Sequence, residues 1–171
     1  FMSWRGVQDV RKWLKPANPK TTDQMNVRND FTGAVNKYHS LTGTDMEALR
    51  LRCQSKPYSG FNLWIGWIRR LKKQNKTWVT IRNVGSSNIT SSGAKISATP
   101  DAAGVLKVYV GTTAGSWTKS FDEEEPGANA NTPHEITLTG LTTGTKYWYT
   151  VEYPEASNKL GYTGWYTFTT S

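Results

Sequence analysis

The sequence predicts an α+β chain of two domains: a basic arm with a small helical unit over residues 1–78, then an all-β sandwich over residues 79–171. Three observations predict it. Charge divides at Trp78: residues 1–78 carry 15 Lys and Arg against 5 Asp and Glu, a net +10, whereas residues 79–171 carry 6 against 8, a net −2. Such a shift between halves marks a change of domain. Before the divide, apolar residues recur at intervals of three and four behind hydroxyl-bearing cap residues, the pattern of helices. After it, they alternate in short runs separated by Gly, Ser, Thr and Pro, the pattern of half-buried strands.

Composition narrows the function classes. The chain has 171 residues, enough for one or two cores. No apolar run reaches the ~20 residues that span a bilayer. The longest, residues 61–68, is interrupted by Asn62 and Gly66 and ends in Arg69 and Arg70. Cys53 is the one cysteine, so no disulfide forms within the chain. Set among Leu51, Arg52 and Gln54, it reads as a small packing residue. A nucleophile needs an activating neighbour, and neither His39 nor His134 stands in a catalytic pattern.

Residues 4–14 place Val7, Val10, Trp13 and Leu14 among cations, a pattern open between a strand pair and a loose arm. Pro16 and Pro19 hold the next stretch out of a helix. A first helix is expected from Thr21 or Thr22, where Thr21-x-x-Gln24 fits a capping box. Val27, Phe31, Val35 (or Ala34), Tyr38 and Leu41 form its buried face, and Thr42-Gly43 ends it. Gly33 weakens it by ~1 kcal/mol relative to Ala. Thr44-x-x-Glu47 is expected to open a short second helix with Met46, Leu49 and Cys53 inward, stopped at Lys56-Pro57. Ser59 caps a third, with Phe61, Trp64, Ile65, Ile68 and Leu71 inward. Its last turn carries Arg69, Arg70, Lys72 and Lys73, which suits the negative end of the helix dipole and supplies a candidate basic contact patch.

Pro16, Asn18, Pro19, Thr21, Gln24, Arg28 and Phe31, followed after a linker by Ser59, Gly60, Phe61, Asn62 and Leu63, resemble a family of small helical proteins associated with bacterial and phage structural genes. The resemblance covers roughly residues 3–75, and it implies a part in virion or surface assembly with no catalytic residue. Residues 3–6 match an internal piece of that family, which implies residues ahead of Phe1. The family's usual Trp in the second helix is absent here, where the stretch reads MEALRLRC.

Seven strands are expected at residues 79–84, 94–98, 105–110, 117–121, 135–138, 147–153 and 165–169, the number of an immunoglobulin-like sandwich. Residues 136–153 run from an alternating strand through Leu141-x-x-Gly144-Thr145-x-Tyr147 into a second strand with Tyr147, Tyr149 and Val151 on one face. That line resembles the fibronectin type III domain. The resemblance implies a tyrosine corner at Tyr147, bonded to the backbone near Leu141. It also implies a role in spacing, display or binding rather than chemistry. Ala98 stands where the family usually has Trp, so the core must be filled from elsewhere.

Alternation sorts the aromatics by face. With Tyr149, Val151, Val108, Tyr166 and Phe168 inward, Tyr109, Trp148 and Trp165 form an outward stripe, a candidate surface for subunit packing or glycan stacking unless another part of the chain covers it. Asp122, Glu123, Glu124 and Glu125 form an acidic loop without the alternating oxygen ligands of a calcium loop. It reads as a solvated face or as a contact for a basic neighbour.

The expected function is that of a non-enzymatic structural protein, a phage virion component (capsid decoration, tail or neck part) or a surface-filament subunit, with a helical base anchoring a displayed sandwich. No metal, catalytic group or cofactor is expected. The expected partners are copies of the chain or other virion or filament subunits, with host-surface glycans a further candidate. Two other readings stand beside it: nucleic-acid binding by the basic half, and a secreted carbohydrate-binding or adhesive module.

Overall fold

The computed structural model describes residues 3–4, 7–8, 20–123 and 129–171. Val10, Trp13, Leu14 and the proline-bounded stretch of the arm lie outside the described residues, as do Glu124 and Glu125. Strands β1 (Ser3–Trp4) and β2 (Val7–Gln8) pair antiparallel.

Helix α1 (Thr22–His39) starts behind Thr21, whose hydroxyl accepts from the Gln24 N–H. The expected apolar stripe divides in two. Ala34 and Leu41 are buried and Tyr38 packs on Phe61 and Trp64, but Val27 and Phe31 are 62% and 48% exposed. The first turns of this 18-residue helix overhang the rest of the described chain, and burial begins only at Ala34.

Helix α2 (Gly43–Arg52) begins two residues earlier than its sequence suggests. Thr42 is the cap and Asp45 its reciprocal partner, because Thr42 has the extended backbone a cap needs and Thr44 is already helical. Glu47 turns instead to Arg50, with both carboxylate oxygens 2.6 Å from the guanidinium. Helix α3 (Gly60–Lys73) has its expected cap, Ser59, and buries Trp64, Ile65 and Leu71. It approaches α2 closely at Gly60, where an added Cβ would stand 2.9 Å from the Leu49 Cβ.

Nine strands follow: β3 (Thr77–Trp78), β4 (Ile81–Ser87), β5 (Ala94–Pro100), β6 (Lys107–Gly111), β7 (Lys119–Asp122), β8 (His134–Leu138), β9 (Lys146–Ala156), β10 (Lys159–Tyr162) and β11 (Tyr166–Thr169). One sheet has the order β4-β5-β8. The other runs β3-β10-β9-β6-β7, with β11 also paired to β9. All seven expected strands are present. The two additions are short, β3 at the sheet edge and β10 between it and β9, and they pair with each other in parallel.

The strands β4, β5 and β8 facing β7, β6, β9 and β10/β11 reproduce the arrangement of a fibronectin type III sandwich, and the fold is α+β. The Tyr147 hydroxyl accepts from the Thr142 N–H at 2.9 Å, one residue beyond the expected Leu141, and makes the tyrosine corner. With Ala98 in place of Trp, the sandwich core that contains it is rich in rings from β9 and β11. Tyr149 lies 5.2 Å from Tyr166 and 5.8 Å from Phe168, and Tyr147 lies 5.7 Å from Phe168.

The last strand is broken, and the break receives the helices. Between β10 and β11, Thr163, Gly164 and Trp165 leave the ladder, and the Trp165 N–H donates to the Ala48 carbonyl of α2. A Cβ on Gly164 would lie 2.1 Å from the Ala48 carbonyl carbon, so only glycine allows this approach. The Arg52 Nη1 donates to the Thr163 carbonyl at 2.9 Å. Two apolar clusters meet here. One fills the sandwich and includes Ala48; the other joins the helices to Trp78 and Leu160 on the two added strands.

Candidate functional site

Two sets of polar residues fix the helices against the sandwich. Asp45, 2% exposed, accepts from the N–H groups of Asn83 and Val84 at 3.0 and 3.2 Å and from the Tyr166 hydroxyl at 2.9 Å, besides capping α2. Burial, and then the Asp45 charge, push the Tyr166 phenol well above its ordinary value. Lys37 of α1 reaches Asp101 at 2.6 Å and the Trp78 carbonyl at 3.3 Å. Asp101 in turn accepts from the Thr80 N–H at 2.8 Å.

This docking shapes the outer face of the larger sheet. Tyr109 lies opposite Thr150, and Trp148 opposite Gly111 and Thr167, so the alternation expected from the sequence holds. Trp148 and Trp165 meet edge to face at 6.5 Å. Trp165 also meets Trp117 at 6.3 Å, a ring that the expected stripe leaves out. Strict alternation over residues 117–121 would place Trp117 on the same side as Phe121, which packs against the core. The strand instead begins only at Lys119, after a bridge between Thr113 and Ser116, and the count is lost. Gly115, at φ +77°, passes so close beneath Trp165 that a Cβ would stand 3.0 Å from the indole.

Tyr109 does not join the tryptophan row directly. It lines a cleft of about 130 Å³ with Arg52, Trp117, Thr150, Glu152 and Tyr162, at the seam between the end of α2 and the sheet. The Arg52 guanidinium carbon lies 4.8 Å over the Trp67 ring, and burial lowers its pKa. Burial raises the Glu152 carboxyl, against the opposing pull of Arg52 and Lys107. Lys107 and Lys146 stand over the rings of Tyr109 and Trp148 at 5.9 and 5.2 Å. Aromatic rings, a held cation and a half-buried carboxylate thus share one surface.

The other expected residues fare differently. Lys72 pairs with Asp30 of α1 at 3.0 Å, while Arg69, Arg70 and Lys73 lie exposed around the end of α3. The acidic contact loop needs correction. Glu123 is buried, accepting from the Leu106 N–H at 3.0 Å and facing His134 Nδ1 at 2.9 Å. Asp122 pairs with Lys107 at 3.0 Å. Glu123 is drawn inward because the Leu106 N–H and the buried His134 imidazole both need an acceptor. Cys53 is buried, and its burial pushes the thiol up, as suits a packing residue.

Over about half its length the chain is similar to solved β-sandwich structures. A redesigned β-sandwich protein aligns with 53% of this chain and 88% of its own, at 21% identity and a TM-score of 0.40. The FN5 domain of Drosophila Lar aligns with 53% and 92%, at 18% identity and a TM-score of 0.39. The sensor domain of the anti-sigma factor RsgI4 of Pseudobacteroides cellulosolvens aligns with 54% and 93%, at 17% identity and a TM-score of 0.36. No protein-family model and no curated protein matches the chain.

Proposed function

We propose that the protein is a non-enzymatic structural module, a subunit of a phage virion or of a surface filament, whose helical side packs against other copies while the sandwich faces outward. The observation that carries this reading is the overhang of α1. Val27 and Phe31 continue the stripe that Ala34 and Tyr38 bury, yet they stand exposed at 62% and 48%. Large apolar side chains placed in register with a buried face, but left in water, suit a surface that is covered on assembly. The resemblance of residues 16–31 and 59–63 to proteins of phage structural genes supports the same setting.

The inward turn of Glu123 removes part of the charge that would join one copy's basic half to the next copy's acidic loop. An apolar contact is therefore the stronger candidate, and it carries a signature. Exposed ion pairs weaken in salt within a Debye length of ~10 Å at 0.1 M, whereas apolar burial does not. Light scattering of the purified chain at low and high salt tests this. The expected result is a multimer that persists in salt and falls to monomer in the doubly substituted Val27→Ser/Phe31→Ser chain with its circular dichroism unchanged. A wild-type monomer at both salt levels would overturn the reading.

A further inference from the structure

We propose that the cleft between α2 and the outer sheet face binds one ring of a neutral saccharide, and that the tryptophan row beside it carries the next rings. The inference deepens the display reading above by naming what the outward face takes.

Size comes first. Clefts that enclose a drug-sized ligand measure ~300–1,000 Å³. At about 130 Å³ this one takes a single ring or a single side chain. Its walls then choose among the candidates. Tyr109, Trp117 and Tyr162 supply aromatic surface from β6, from the turn before β7 and from β10. Arg52 has five N–H donors, and its bond to the Thr163 carbonyl occupies one of its nitrogens. That bond and the Trp67 ring hold the guanidinium in place. Glu152 brings a carboxylate, an acceptor, to the same space.

A cationic guest would meet Arg52 in the cleft and Lys107 at its rim over Tyr109. An anionic guest would meet Glu152. A wholly apolar side chain would desolvate both charges with nothing in return, which is costly. A pyranose ring satisfies all the walls. Its C–H face lies on an aromatic ring, and its hydroxyl groups accept from the guanidinium and donate to the carboxylate.

The neighbouring surface suits a longer chain. From Trp117 the row continues to Trp165 at 6.3 Å and to Trp148 at 6.5 Å, crossing the sheet away from the cleft. These three rings are half-buried, held edge to face and open to solvent on one side.

The test is affinity electrophoresis and calorimetry of the full chain against a panel of neutral oligosaccharides and polysaccharides built from glucose, xylose, mannose or N-acetylglucosamine, with a sulfated and a uronic-acid polysaccharide beside them. At least one member is expected to bind, with a change in tryptophan emission and little dependence on salt. Glu152→Gln should weaken that binding by roughly ten- to a hundredfold, the range of a lost hydrogen bond to a charged group, and Trp117→Ala, which removes a stacking ring, should weaken it as well. Thermal unfolding checks that both variants are folded. Should Trp117→Ala not fold, Glu152→Gln, which keeps shape and volume, decides alone. No binding across the panel, undiminished binding in Glu152→Gln, or binding confined to anionic polysaccharides and abolished by salt would each overturn the proposal. The Val27→Ser/Phe31→Ser chain should bind as wild type does. A failure of self-assembly with sugar binding intact would therefore strike the assembly reading and not this one.

Discussion

Asp45→Asn keeps the volume of the side chain and removes its charge, and its effect follows from the bonds it breaks. Oδ2 accepts from the Thr42 N–H at 3.1 Å, the Thr42 hydroxyl at 2.8 Å and the Asn83 N–H at 3.0 Å. Oδ1 accepts from the Val84 N–H at 3.2 Å and the Tyr166 hydroxyl at 2.9 Å. An amide offers one oxygen and an NH2 group that only donates. In the less costly orientation the NH2 replaces Oδ1 and faces the Val84 N–H and the Tyr166 hydroxyl. The hydroxyl can turn, but the backbone N–H cannot. The Val84 bond is lost outright and the Tyr166 contact survives only reversed and uncharged, so two hydrogen bonds to a charged group, at ~1.5–3 kcal/mol each, are given up and the cost is at most about 3–6 kcal/mol. That is a large part of the ~5–15 kcal/mol that holds a typical domain. Urea unfolding followed by tryptophan emission measures it, with the slope in urea compared between variants. Tyr166→Phe removes one of the same bonds, so a double-mutant cycle should show coupling of ~1 kcal/mol or more. A loss below ~1 kcal/mol in Asp45→Asn would refute the claim that this carboxylate joins helices to sandwich.

Gly164→Ala forces a Cβ to within 2.1–2.3 Å of the α2 backbone at Ala48 and Leu49, so α2 should lose its seat in the broken strand. The expected cost exceeds ~2 kcal/mol, the size of a severe steric substitution, and near-ultraviolet circular dichroism should report the disturbed tryptophans. Tyr147→Phe deletes the corner bond to Thr142 and should cost ~1 kcal/mol in chemical denaturation with little change in the sheets. Alkaline stability follows from Tyr149 and Tyr166, both raised above the ordinary 10.0, mainly by burial. The unfolded phenols ionise first, so the unfolded state binds fewer protons above pH 10 and stability falls as pH rises from there. Below pH 10 these two groups contribute no slope. Denaturation midpoints across pH 8–12 check this, and Tyr166→Phe should flatten the alkaline limb.

The strands were legible because burial on one face imposes a period of two, and the Leu141–Tyr147 corner fixes where one strand stops and the next begins. Helices α1 and α3 were legible from their caps and spacing, and α2 only to within two residues, because Thr42 and Asp45 form its cap instead of Thr44 and Glu47. Four features lie beyond the local pattern. Val27 and Phe31 obey the helical period as well as Ala34 does, and only tertiary packing decides which are covered. Asp45 carries no local signal of its burial, because the donors that surround it come from Asn83, Val84 and Tyr166, far along the chain. The cleft was hidden for the same reason: Arg52 and Glu152 belong to different halves, and the docking of α2 at the strand break brings them together. Strand β10 escaped notice because Gly161 sits within it, where a Cβ would strike the Val79 carbonyl oxygen.

Side-chain oxidation footprinting of the assembled particle against dissociated subunits asks most directly which side of the molecule is covered. Phe31 on the overhanging turns of α1, together with Met25 nearby, should oxidise more slowly once assembled, while Trp117 and Trp148 on the sheet keep the same rate in both states. Protection of the tryptophans with Phe31 and Met25 unchanged would place the contact on the sandwich and contradict the account.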